Sequence, residues 1–109
     1  MTQDAIGVAR EAARRVQAAD RGRALLDAVR HFRYVLSAMP DESFGPVSPA
    51  GVDRLEALCD EVVEHIEDRL RGAHMLEARK LIDAIYQIRA LLEETTRYRL
   101  QCASTVRHV

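Results

Sequence analysis

Apolar positions gather in four segments along the chain, each with helical spacing. The longest runs from Met75 to Cys102, 28 residues without Gly or Pro, and its Ala78, Leu81, Ile85, Ile88, Leu92 and Thr95 follow alternate steps of three and four. That repeat belongs to a helix buried along one seam. Ile82 widens the seam on one side, and Ala84, Leu91, Tyr98 and Cys102 widen it on the other. At about 100° per residue the apolar sector covers roughly 200°. One neighbouring helix cannot shelter that much, so the pattern predicts at least two neighbours, or one neighbour and a second copy of the chain.

Upstream, residues 49–71 form the cleanest amphipathic segment. Leu55, Leu58, Cys59, Val62, Val63, Ile66 and Leu70 share one sector, and Asp53, Asp60, Glu61, Glu64, Glu67 and Asp68 fill most of the other. Ser48 before Pro49 is a helix start, because the Ser oxygen caps free N–H groups and Pro costs nothing in the first turn. The connection Arg71-Gly72-Ala73-His74 is short enough to send the next helix back antiparallel. Folding about residue 73 then sets Ile66 near Leu81, Val62 near Ile85, Cys59 near Ile88 and Leu55 near Leu92. These positions are apolar on both sides, and the last helix outruns its partner.

A third stripe, Leu25, Val29, Phe32 and Leu36, predicts a helix over 24–39, with Leu26 and Tyr34 directed elsewhere. The twelve residues PDESFGPVSPAG that follow hold three prolines and two glycines, marking the one substantial loop. Phe44 is its large apolar residue, either a lid folded over the bundle end or a binding determinant.

The first segment is weaker. Ile6, Ala9, Ala13 and Val16 make a narrow stripe in an Ala-rich stretch, with little bulky surface to bury. Residues 1–23 are therefore expected to form a marginal helical arm. It carries Arg10, Arg14, Arg15, Arg21 and Arg23 against Asp4, Glu11 and Asp20. Gly22 predicts a bend or a fresh start. The expected organisation is all-α: this arm, an antiparallel three-helix bundle over 24–103, and a tail at 104–109.

Composition narrows the classes. At 109 residues the chain is one small domain, and with 48% apolar and 30% charged residues it has a globular rather than a disordered balance. A net charge of −1 argues against a protein devoted to holding phosphates. No run approaches the ~18 apolar residues of a membrane span, and MTQDAIGVAREAARR lacks the apolar core of a secretion signal, which points to the cytoplasm. Cys59 and Cys102 form no C-x-x-C pair and would lie far apart in the expected bundle, which argues against a disulfide or zinc framework.

Candidate chemistry is sparse. Glu61 and His65 are four apart beside Glu64 and Asp68, a spacing that holds a divalent metal on one face, but no second helix offers matching ligands; the alternative is a solvated acidic face. His31 and His108 have no evident partners. Arg89 falls inside the apolar sector between Ile85 and Leu92, so it must snorkel outward, pair with a carboxylate or clamp an anionic group. No phosphate loop, nucleophile elbow or Cys/His arrangement is present, and no cofactor is implied.

The helix end Leu36-Ser37-Ala38-Met39-Pro40, a Gly/Pro loop and a long antiparallel helical pair together resemble the small all-helical antiactivators that bind quorum-sensing transcription activators and disable them. The resemblance covers roughly residues 24 to 95. It implies a homodimer whose helix faces occupy a regulator's dimer or DNA-binding surface. The arginine-rich arm and the longer acidic middle helix depart from that pattern, and no individual functional residue carries over.

The reading that follows is a non-enzymatic interaction protein that binds and sequesters another protein, with a transcriptional regulator as the implied partner and a homodimer as the expected state. Leu26, Tyr34, Phe44, Arg89, Leu91 and Tyr98 are the candidate partner-binding residues. The acidic face of the middle helix would steer toward a basic partner. Two other classes compete: a helical enzyme or ligand-binding protein with a site of Arg89 and carboxylates, and a nucleic-acid binder using the arginine arm, whose interleaved acids weaken that case.

Overall fold

The computed structural model describes residues 5–38 and 49–107, with side-chain surroundings for residues 6–38 and 51–95. Four helices account for nearly all of it: α1 (Ala5–Ala18), α2 (Gly22–Ala38), α3 (Pro49–Leu70) and α4 (Met75–Arg107). Each contains one of the four sequence stripes. The loop around Phe44 and the Ser48 cap lie outside the described residues. Among the described residues no helix is long and apolar enough to cross a membrane.

Two glycines make the two hairpin turns. Gly22 opens α2 at φ +66° and Gly72 follows α3 at φ +89°, a backbone region that side-chain-bearing residues seldom enter. Past Leu70 the chain tightens, with Ala73 N–H donating to Leu70 O at 3.3 Å, before α4 begins.

Packing follows a closed order. α1 lies against α2 and α3, and α4 lies against α2 and α3, so α1 faces α4 across the bundle and α2 faces α3. Gln17, Ala19 and Asp20 meet Glu61, His65 and Arg69 in rising order, so α1 and α3 run in the same direction. α2 and α4 also run together, since both begin where Gly22 meets Glu77. Two hairpins thus sit side by side with their turns at one end.

The core is continuous through all four helices. Leu25, Phe32 and Leu36 of α2, Leu55, Val62 and Ile66 of α3, and Leu81 and Ile88 of α4 are almost wholly buried. α1 departs from the expected marginal arm: Ile6, Ala9, Ala12, Ala13 and Val16 are all buried in the same core. Small side chains provide little apolar area, but they let helix axes approach closely and leave few voids. The arginines Arg10, Arg14 and Arg15 occupy the outside of this helix.

Along α4 the fully buried positions are Leu81, Ala84, Ile88 and Thr95, while Ile85, Leu91 and Leu92 are half-buried at the seam's margins. At ~1.5 Å per residue α4 is about 50 Å long and α3 about 33 Å. The molecule's longest dimension, 53 Å, is therefore close to the length of α4, which continues beyond the start of α3.

Candidate functional site

The turn end of the bundle holds the densest polar network. Gly22 N–H donates to Glu77 Oε1 at 2.8 Å, placing an acceptor from α4 on a free donor at the start of α2. His65 Nε2 lies 2.9 Å from Ala19 O, and because a carbonyl only accepts, this ring nitrogen carries the hydrogen. Gln17 Nε2 donates to Glu61 Oε2 at 3.3 Å. Arg69 Nε sits 3.1 Å from Asp20 Oδ1, but its N–H is not aimed at that oxygen, so the contact is an ion pair without a directed hydrogen bond. A cleft of about 200 Å³ opens here, lined by three arginines, Arg21, Arg69 and Arg71, and three acids, Asp20, Asp68 and Glu77. Its charges balance locally, and its polar groups join the two hairpins.

That network also accounts for Glu61 and His65. Both reach across to α1 and the turn after it, and among the described residues no group of three or more His, Cys, Asp or Glu is placed to hold a metal ion. Cys59 is buried in the core, and its thiol is pushed up to about 12 by burial, with Asp60 and Glu56 adding to the shift. A thiol so placed stays protonated and is a poor nucleophile.

Arg89 turns outward from the apolar sector and pairs with a carboxylate, two of the outcomes its position allowed. Its side chain is 65% exposed and pairs with Glu67 of α3 at 3.6 Å, itself 55% exposed. Helical side chains lean toward their own N-termini, so in an antiparallel pair these two lean toward each other. The pair bridges α3 and α4 on the outside, with no other carboxylate joining it within ion-pair distance among the described residues.

The remaining sequence candidates separate. Leu26 and Leu91 are half-buried against the core, whereas Tyr34 stands out from α2. Phe44 and the side chain of Tyr98 lie outside what the structure describes.

Sequence reading missed Met75, Leu76, Ile82 and Tyr86 as surface residues. With Tyr34 they are the exposed large apolar side chains among the described residues, at 88%, 75%, 44%, 71% and 71% respectively, and all lie on α2 or α4. The available signal was their phase: Met75, Ile82 and Tyr86 fall on one line of α4, opposite Leu81, Ala84 and Ile88.

Between α2 and α4 runs a groove of about 460 Å³ whose lining includes Leu26, Val29 and Ala84 and the cations Arg23, Arg30, Arg33 and Lys80, with Asp27 and Asp83 among them. Asp27 is 3.9 Å from Arg23, and Asp83 accepts from Gln87 at 2.9 Å. Arg33 Nε is shielded from solvent without a hydrogen-bond partner. Charge is segregated across the bundle: residues 5–38 carry seven arginines against three acids, whereas Asp53 to Gly72 carry seven acids against three arginines. Comparison of the chain with protein-family models, with curated proteins and with solved structures finds no match.

Proposed function

We propose that this chain is a non-enzymatic interaction protein that binds and sequesters another protein through the face formed by α2 and α4. One observation carries the reading: among the described residues every exposed large apolar side chain lies on these two helices. Exposed apolar side chains on a charged surface are candidate protein contacts, and Tyr34, Leu76, Ile82 and Tyr86 are the ones these two helices offer. The solvated setting of Arg89, with one carboxylate beside it, favours this over an arginine-centred enzyme. A cytoplasmic transcriptional activator is the partner class that the antiactivator resemblance implies. Within that reading α1 is an added part of the core, so the region of resemblance does not stand alone.

Self-association is a second reading, through the outer side of α4 on which Arg89 reaches Glu67 of α3. Met75, Ile82, Tyr86 and Arg89 lie on one line of α4 at steps of seven, four and three, which suits helix-to-helix contact between copies. A light-scattering mass equal to one chain at micromolar concentration removes this part.

The test is site-specific photocrosslinking in cells that make the protein. A photoreactive amino acid at position 34 or 86 is expected to trap a partner, and the same group at Glu64, on the outer side of α3, is expected not to. Equal adducts from all three positions, or none from 34 and 86, overturn the reading.

A further inference from the structure

We propose that the groove between α2 and α4 receives an acidic amphipathic helix from a partner protein. This rests on reading the α2–α4 face as the docking surface and adds the chemistry of what docks there.

The groove has an apolar floor and a cationic rim. Leu26 is its half-buried apolar side chain, with Val29 and Ala84 closed over beneath it, and of the four cations only Arg23 has a carboxylate within ion-pair distance among the described residues. Among the described residues no acid lies within ion-pair distance of Arg30, Arg33 or Lys80, and with Asp27 and Asp83 in the same lining the channel keeps an excess of two positive charges, four cations against two acids. Arg33 Nε is already desolvated and unbonded, a state costly to leave unmatched. From Arg23 to Arg33 the channel wall runs about 15 Å along α2. That length matches about three turns of a docked helix, whose apolar side packs on Leu26 and the aliphatic stems of the rim while carboxylates on its flanks meet the charges.

A second copy of the chain fits less well. Its acidic surface is the outside of α3, whose apolar residues Leu55, Val62 and Ile66 are committed to its own core. Such a surface brings charge without anything to fill the floor. The position of α3 across the bundle from α2 also matters, because an acidic partner would be repelled from the α3 side and drawn to the groove.

The experiment uses the full chain and three dye-labelled peptides of about four helical turns. One has Leu on one face and Glu on its flanks, the second has Lys in place of Glu, and the third scrambles the first. Fluorescence anisotropy is expected to show saturable binding of the Glu peptide, weakening as salt rises, and no saturable binding of the other two. The double substitution Arg30→Glu with Lys80→Glu is expected to weaken it by about tenfold or more, whereas Glu64→Lys on α3 leaves it unchanged. Both altered positions are on the surface, and circular dichroism confirms that each variant is folded.

Failure of the Glu peptide to bind, or equal binding to the charge-reversed variant, overturns the proposal. Saturable binding of the Lys peptide in place of the Glu peptide overturns the acidic partner. Saturable binding of a labelled DNA duplex, lost in the charge-reversed variant, overturns it in favour of nucleic acid.

Discussion

Gly22 and Glu77 are joined by a 2.8 Å hydrogen bond from the backbone N–H of one to the carboxylate of the other, across 55 positions of sequence. A side chain of α4 thereby supplies the N-terminal cap of α2, a role ordinarily filled by the residue just ahead of a helix. Removing the acceptor in Glu77→Ala leaves a helix N–H without its partner and is expected to cost about 1–2 kcal/mol in urea unfolding. Glu77→Gln keeps an acceptor and loses only the charge at the helix start, so about half of that loss is expected. Equal stability of Glu77→Ala and the parent chain would remove the cap from the account.

Gly22 contributes separately through its backbone. A Cβ at this position would meet nothing within 4 Å, so steric crowding from neighbours is not the constraint. Its φ of +66° is, and Gly22→Ala is expected to cost about 1 kcal/mol through backbone strain alone. A stabilising Gly22→Ala, the usual result at a helical φ, would show that the turn relaxes.

The amino-terminal helix separates two readings of an alanine stripe. On a loosely held, solvated arm, Ala9→Leu or Ala13→Leu would be close to neutral, because Leu and Ala differ little in helix propensity. Both alanines are almost wholly buried between helices, so each substitution is expected to overpack the interface and cost about 1–3 kcal/mol. Chemical denaturation distinguishes the outcomes, and deletion of residues 1–18 is expected to abolish a cooperative transition rather than leave it intact.

Those alanines also show where sequence legibility ended. The starts of α2, α3 and α4 follow to within about two residues from long stripes of branched side chains, the prolines and the two glycine turns, whereas α4 runs on to Arg107, into the stretch expected as a tail. α1 is legible as a helix, but its burial comes from close approach of small side chains, which apolar area along a stripe does not report. Arg89 illustrates a different limit. A sector of roughly 200° on α4 does not say where its centre faces. With Leu81, Ala84 and Ile88 pointing inward, Arg89 falls at the edge and Ile82 and Tyr86 fall outside. Which part of a wide apolar sector stays uncovered depends on the positions of α2 and α3, and tertiary packing alone sets those.

The Arg89–Glu67 pair should matter little to stability. Both side chains are more than half exposed and the contact is 3.6 Å, so solvent screens most of the attraction. Arg89→Gln and Glu67→Gln are each expected to change unfolding free energy by less than about 0.5 kcal/mol, with a double-mutant coupling no larger. A coupling well above that would mean that the pair is desolvated in solution.

Cys59 gives the fold a dependence on alkaline pH whose sign can be worked out. Burial raises its thiol from 9.0 to about 12 in the folded chain, so above pH 9 the unfolded chain loses this proton while the folded chain keeps it. The folded state then binds more protons, and stability must fall as pH rises through that window. The contribution is fully present below pH 9 and is lost by about 12, on the order of 4 kcal/mol across the whole range. Lysines and tyrosines also titrate there, so the informative quantity is the difference in slope between the parent chain and Cys59→Ala. Cys59→Ala is expected to start less stable at neutral pH, through the cavity it leaves, and to lose stability more slowly as the solution becomes alkaline. In a Cys102→Ser background the remaining thiol is expected to react with an alkylating reagent only as fast as the protein opens, and adding denaturant should accelerate it. Rapid labelling of the folded chain, or parallel pH slopes for the two variants, would place Cys59 at the surface and contradict the four-helix core.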